Sequence, residues 1–143
     1  LKEKNMDETV IVIMLKDNNT GFLEKELGSY SLSENAGMIY NIYGEDTEDG
    51  RRVVLRLTCD RDVEDWEYDA IFDYYDTDAL VGVATHMKEE DGQLNPIWVV
   101  QFPYSDVYEE MENTITNILD IHKKELLSVY DAIADKKDDY SEK

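Results

Sequence analysis

A chain of 143 residues is long enough to bury one ordinary core without disulfides or metals. Its 34 acidic residues against 14 basic ones give a net charge of −20, which excludes direct contact with nucleic acid phosphates or an anionic membrane and favours basic proteins as partners. With one cysteine, and with the apolar run VIVIML at 10–15 too short to span a membrane and not laid out as a cleavable signal, a cytoplasmic setting is expected.

An apolar fraction of 42% is too high for a disordered acidic tail, so a single domain is expected over 9–135, with frayed ends at 1–8 and 136–143. The segment TVIVIMLK at 9–16 and a second strand from Phe22 to about Leu32 form a first hairpin across DNNTG. Ser33 is positioned to cap a short helix from Glu34 to Tyr43, with Met38, Ile39 and Ile42 as its apolar stripe. GEDTEDG is a polar turn, after which RRVVLRLTC at 51–59 alternates with Val53, Leu55, Leu57 and Cys59 on one face.

Residues 60–78, DRDVEDWEYDAIFDYYDTD, carry nine carboxylates, five aromatics and one base. As a helix, Val63, Trp66, Ala70, Ile71 and Tyr74 would share a face, with Asp62 and Asp65 at its start. As a strand, Trp66, Tyr68, Ala70, Phe72 and Tyr74 point one way while Asp65, Glu67, Asp69 and Asp73 point the other. The strand template fits better, because a hairpin with 51–59 sets Arg56 opposite Asp69, Arg52 opposite Asp73 and Val54 opposite Ile71. Trp66, Tyr68 and Tyr74 are then core residues, and the carboxylates form the wet face.

Two further strands follow from hairpin signals at LVGVATHMK, 80–88, and LNPIWVVQF, 94–102, with Pro96 placing the latter at an edge or a bulge. From Asp106 to about Ala134, apolar residues from Val107 and Met111 through Val129 and Ile133 recur at three- and four-residue spacing, so a long helix capped by Ser105 is expected. The fold class is therefore α+β: an antiparallel sheet of about six strands, a short helix after the first hairpin, and a long C-terminal helix packed on the sheet.

Chemistry is sparse. His122 falls on the apolar stripe and is expected to be a satisfied core residue, His86 to point outward near Glu67 or Asp69, and Cys59 to be a small core residue. An EF-hand loop built on GEDTEDG would need Asp or Asn at 45 and 47 and Glu at 56, whereas the chain has Glu45, Thr47 and Arg56. No phosphate loop, nucleophile elbow or zinc signature is present, so no catalytic residue, metal or cofactor is expected.

The segments TGFLEKELGSY, 20–30, and DRDVEDWEYDAIFDYYD, 60–76, resemble an uncharacterised family of short acidic clostridial proteins. The resemblance implies a bacterial cytoplasmic setting and no particular mechanism. Between Asp62 and His122 stand 16 acidic residues and one base, Lys88. That imbalance points to a non-enzymatic module docking a basic protein surface, such as one that otherwise holds DNA or RNA, through Glu64, Asp65, Glu67, Asp69, Asp73, Asp76 and Asp78. The alternative is a binder of a small apolar ligand held between sheet and C-terminal helix by Trp98, Phe72 and Met87.

Overall fold

The computed structural model describes residues 8–140. Its elements are β1 (Thr9–Lys16), β2 (Leu23–Leu32), a 3₁₀ turn (Ala36–Met38), β3 (Ile39–Thr47), β4 (Gly50–Thr58), α1 (Asp65–Tyr74), β5 (His86–Glu90), β6 (Ile97–Pro103), α2 (Tyr108–Ile133) and α3 (Lys137–Tyr140). The six strands form one sheet in the order β2-β1-β3-β4-β6-β5. It is mixed rather than wholly antiparallel, because β3 returns beside β1 in the same direction, with Met14 against Tyr43 and Leu15 against Gly44.

Of the expected helix at 34–43, Ala36–Met38 form a 3₁₀ turn and the residues from Ile39 onward are strand β3. Ile39, Tyr40, Ile42 and Tyr43 are β-branched or aromatic, and they feed a two-residue turn in which Thr47 pairs with Gly50. Thr47 Oγ1 accepts from the Asp49 amide at 3.2 Å, and Gly50 adopts φ 122°, which other residues rarely take. Gly44 is needed for a different reason. A Cβ there would lie 2.6 Å from Leu27 Cδ1, so glycine leaves room for the Leu27 side chain, which reaches from β2 across β1.

This hairpin overturns the expected pairing of 51–59 with 65–75. Both edges of β4 are occupied, by β3 and β6, and residues 65–74 form α1 instead. A capping box between Glu64 and Glu67 starts the helix, and Asp65 and Glu67 in its first turn complement the dipole. The period-two alternation concealed a period-four one: Tyr68 and Phe72, one turn apart, meet edge to face at 5.2 Å, and Phe72 meets Trp98 at 5.5 Å. Ala70, Ile71 and Tyr75 are buried beside them, whereas Tyr74, expected in the core, is 42% exposed.

Two other expectations change. The expected strand at 80–88 starts only at His86 and runs on to Glu90, because Val83 and Ala84 both donate to the Leu80 carbonyl and coil the chain around that buried side chain. β6 is interior, between β4 and β5, and Pro96 sits just before it, where its missing N–H costs no ladder bond.

The long helix is as expected apart from its cap. Ser105 lies two residues before the N-cap Val107; its hydroxyl accepts the Val107 amide at 3.1 Å and donates to Glu110 at 2.7 Å. From Met111 to Ile133 the helix buries one stripe against the inner face of the sheet, where Val53, Leu55, Leu57, Trp98, Val100 and Phe102 complete the core. Within the expected tail, Lys137–Tyr140 form α3, where Tyr140 donates to Asp73 at 2.7 Å, and 141–143 lie outside the described residues. The first seven residues of the expected frayed start lie outside the described residues.

Candidate functional site

α1 determines which carboxylates act together. Residues four apart share a helix face, so Asp65, Asp69 and Asp73 form one exposed column, with Asp62 before it and Asp76 after it. Glu64 and Glu67, also expected at the contact face, serve the helix itself. Glu67 Oε1 accepts the Glu64 amide at 2.9 Å, and Glu64 Oε1 accepts the Trp66 indole N–H at 3.1 Å. Arg61 donates to both Glu67 oxygens, at 3.2 and 3.0 Å, and this pairing holds the Glu67 carboxyl below its ordinary range. Asp78 lies in the turn after the helix, where its amide donates to Asp76 Oδ1 at 3.0 Å.

Like charge crowds this face. Burial, with Asp73 adding to it, raises the pKa of Glu89 on β5. Among the described residues, no ion pair involves Asp65, Asp69, Asp73, Asp76 or Asp78. Lys88, the lone base of the stretch, is turned away. It shares a cross-strand row with Val99 and Arg56 on the opposite face of the sheet. His86 lies on that same far face, opposite Gln101, and not beside Glu67 or Asp69.

The sequence reading missed this far face as a functional surface. No helix among the described elements covers it, and it gathers Lys16, Arg52, Arg56 and Lys88. Arg52 pairs with Glu45 and donates to Gln101 Oε1 at 3.1 Å; Arg56 pairs with Glu90 and stacks 4.8 Å from the Tyr40 ring. One signal was available: β1 is apolar on both of its sides, as a strand covered on both faces would be.

Cys59, His122 and Asp60 are committed to structure. Burial pushes the Cys59 thiol up to about 11, leaving it protonated at neutral pH. His122 is buried, with Nε2–H donating to the Thr58 carbonyl at 2.8 Å and Nδ1 accepting from the Tyr75 hydroxyl at 2.8 Å. Asp60 straps the β4–α1 loop to α2. Burial alone would raise its carboxyl, but Lys123 at 2.7 Å and Tyr130 at 3.0 Å hold it below the usual range.

Among the described residues, no group of three His, Cys, Asp or Glu side chains could hold a metal ion. Trp98, named for an apolar pocket, is buried with its ring against Phe72, Tyr75 and His122. Met87 borders a cleft of about 290 Å³ with Lys88 and Val99, apart from Trp98 and Phe72, and other clefts lie elsewhere. One of about 650 Å³ is bordered by Tyr104, Ser105, Glu110 and Met111, and one of about 300 Å³ by Arg51, Arg52, His86 and Gln101. No described helix is long and apolar enough to cross a membrane.

Fold and site together define an α+β protein whose mixed sheet carries helices on one side, with unpaired carboxylates on their outer surface. The chain belongs to a family of unknown function (DUF6762), which matches residues 6–141. No curated protein and no solved structure matches it.

Proposed function

We propose that this protein is a non-enzymatic interaction module of the bacterial cytoplasm that docks a basic protein surface on the outer side of α1. One observation carries the reading: among the described residues Asp65, Asp69, Asp73, Asp76 and Asp78 enter no ion pair, and the only base between Asp62 and His122, Lys88, faces the opposite side of the sheet. Such a face accelerates encounter with cationic partners and repels nucleic acid. A basic partner whose surface otherwise holds DNA or RNA fits, because phosphates and this column present dense negative charge to the same cations.

The test compares capture by wild type and by Asp65→Asn, Asp69→Asn, Asp73→Asn, Asp76→Asn combined. Glu64 and Glu67 are left intact because they start the helix. At low salt, wild type is expected to retain basic proteins, to release them as salt rises, and to lose them to competing DNA, while the variant, with unchanged circular dichroism, retains none. Equal capture by the two proteins contradicts the proposal, as does no capture by wild type.

A further inference from the structure

The uncovered face of the sheet is a second surface, with a different chemistry from the helical one. Cross-strand register places Val10, Val12 and Met14 of β1, Tyr43 of β3, and Val54 and Val99 of β4 and β6 on this side. Val10 is 61% and Val12 43% exposed, and Tyr40, at the bulge in β3, is 50% exposed. A strand that is apolar on both sides is normally covered on both sides, and here one cover is missing.

Charge decides what fits. The same register brings Lys16, Arg52, Arg56 and Lys88 to this face together with Glu26, Glu45 and Glu90, four bases against three acids, or +1 in a chain of −20. The rest of the molecule therefore repels its own copies, while this face alone does not. Both signs alternate across it, Lys16 to Glu45 to Arg52 in one row and Arg56 beside Glu90 and Lys88 in the next. A strongly acidic partner would meet its three glutamates, and a strongly basic one its four cations. The middle strands β3 and β4 carry the alternating charges and β1 the exposed valines, so a copy related by a two-fold axis can set each sign against its opposite.

Size is adequate as well. Six strands spaced ~4.8 Å apart, on average about eight residues long at ~3.3 Å, make a face of roughly 760 Å², near the ~800 Å² per partner of a stable interface.

We infer that two copies of this chain associate through their open sheet faces, stacked about 10 Å apart as in a sandwich and burying Val10, Val12, Tyr40 and Tyr43. The acidic helices of both copies then face outward. This contact is independent of docking at α1, and salt separates the two. Screening relieves the repulsion between two −20 chains, so the dimer tightens with salt, whereas capture on the acidic column loosens.

Sedimentation velocity on wild type, Val12→Glu and Asp69→Asn, up to about 0.5 mM protein and at about 0.02 and 0.15 M salt, tests the inference. Wild type and Asp69→Asn are expected to dimerise, more tightly at the higher salt, and Val12→Glu to bind itself at least tenfold more weakly with unchanged circular dichroism. Should Val12→Glu fold poorly, dilution of wild type followed by amide NMR gives the same answer, with shifts confined to β1, β3 and β4. Wild type monomeric throughout, dilution shifts on α1 instead of the sheet, or a folded Val12→Glu that dimerises as wild type does would overturn it.

Discussion

His122 shows how one residue ties the layers together. It projects from α2 into the core and reaches Thr58 at the end of β4 and Tyr75 at the end of α1, two segments brought together only by folding. The Thr58 carbonyl can only accept, so Nε2 carries a proton, and in the neutral ring that burial favours Nδ1 accepts from Tyr75. Burial pushes its pKa down to about 4. A base whose folded value lies below its unfolded value of about 6.5 binds fewer protons when folded, so stability is full above pH 6.5 and falls as pH drops toward 4. The slope in that window is about 1.4 kcal/mol per pH unit from this group. NMR should find the His122 ring neutral at pH 5.5, and urea midpoints should fall between pH 7 and 5.5; a ring that titrates near 6.5 contradicts the arrangement. Tyr75→Phe leaves Nδ1 buried without a donor and should cost about 1–3 kcal/mol in urea unfolding at pH 7. The core position of His122 was legible from the helical stripe. Its partners were not, since Tyr75 and Thr58 stand 47 and 64 residues away.

At the scale of elements, the sequence was read correctly where one period dominated. β4, β6 and α2 each bury one regular set of side chains, and the expected limits of these elements and of β1 fall within a few residues of the observed ones. It misled where two periods coexist. In 65–74 the alternation of Trp66, Tyr68, Ala70, Phe72 and Tyr74 resembles a strand, but Tyr68, Phe72 and Ile71, Tyr75 are also four-residue pairs, and the Glu64–Glu67 box decides for the helix. The site changes with it, because a helix takes Glu64 and Glu67 into its own capping and adds Asp62 to the expected contact residues. Glu67→Ala, which removes the capping acceptor and the Arg61 pair, should therefore cost about 1–2 kcal/mol, while Asp69→Ala should stay within about 0.5 kcal/mol. Equal thermal shifts for the two would speak for a strand. Arg56→Glu should destabilise more than Lys88→Glu, since it sets like charge against Glu90 beside the Tyr40 ring, while no described ion pair involves Lys88. Urea titration of both variants checks the order.

The whole molecule is two-sided. Helices and unpaired carboxylates occupy one side of the sheet, and the other carries a balanced, partly apolar strand surface. Composition revealed the total charge but not its sorting, because whether Lys88 faces Asp73 or Arg56 depends on the β5–β6 register. Crowded carboxylates on α1 repel one another across the short distances of a helix face, so raising salt from about 0.02 to 0.15 M, which shortens the Debye length to ~8 Å, should raise the melting temperature at fixed protein concentration. An unchanged melting temperature would mean that repulsion does not limit stability. The central claim, that the acidic side is the docking side, is tested most directly by amide hydrogen exchange on the protein alone and bound to a captured basic partner. The account predicts added protection over 62–78, with the outward residues of β4 and β5 unchanged. Protection over β4 and β5 with none on α1 would contradict it.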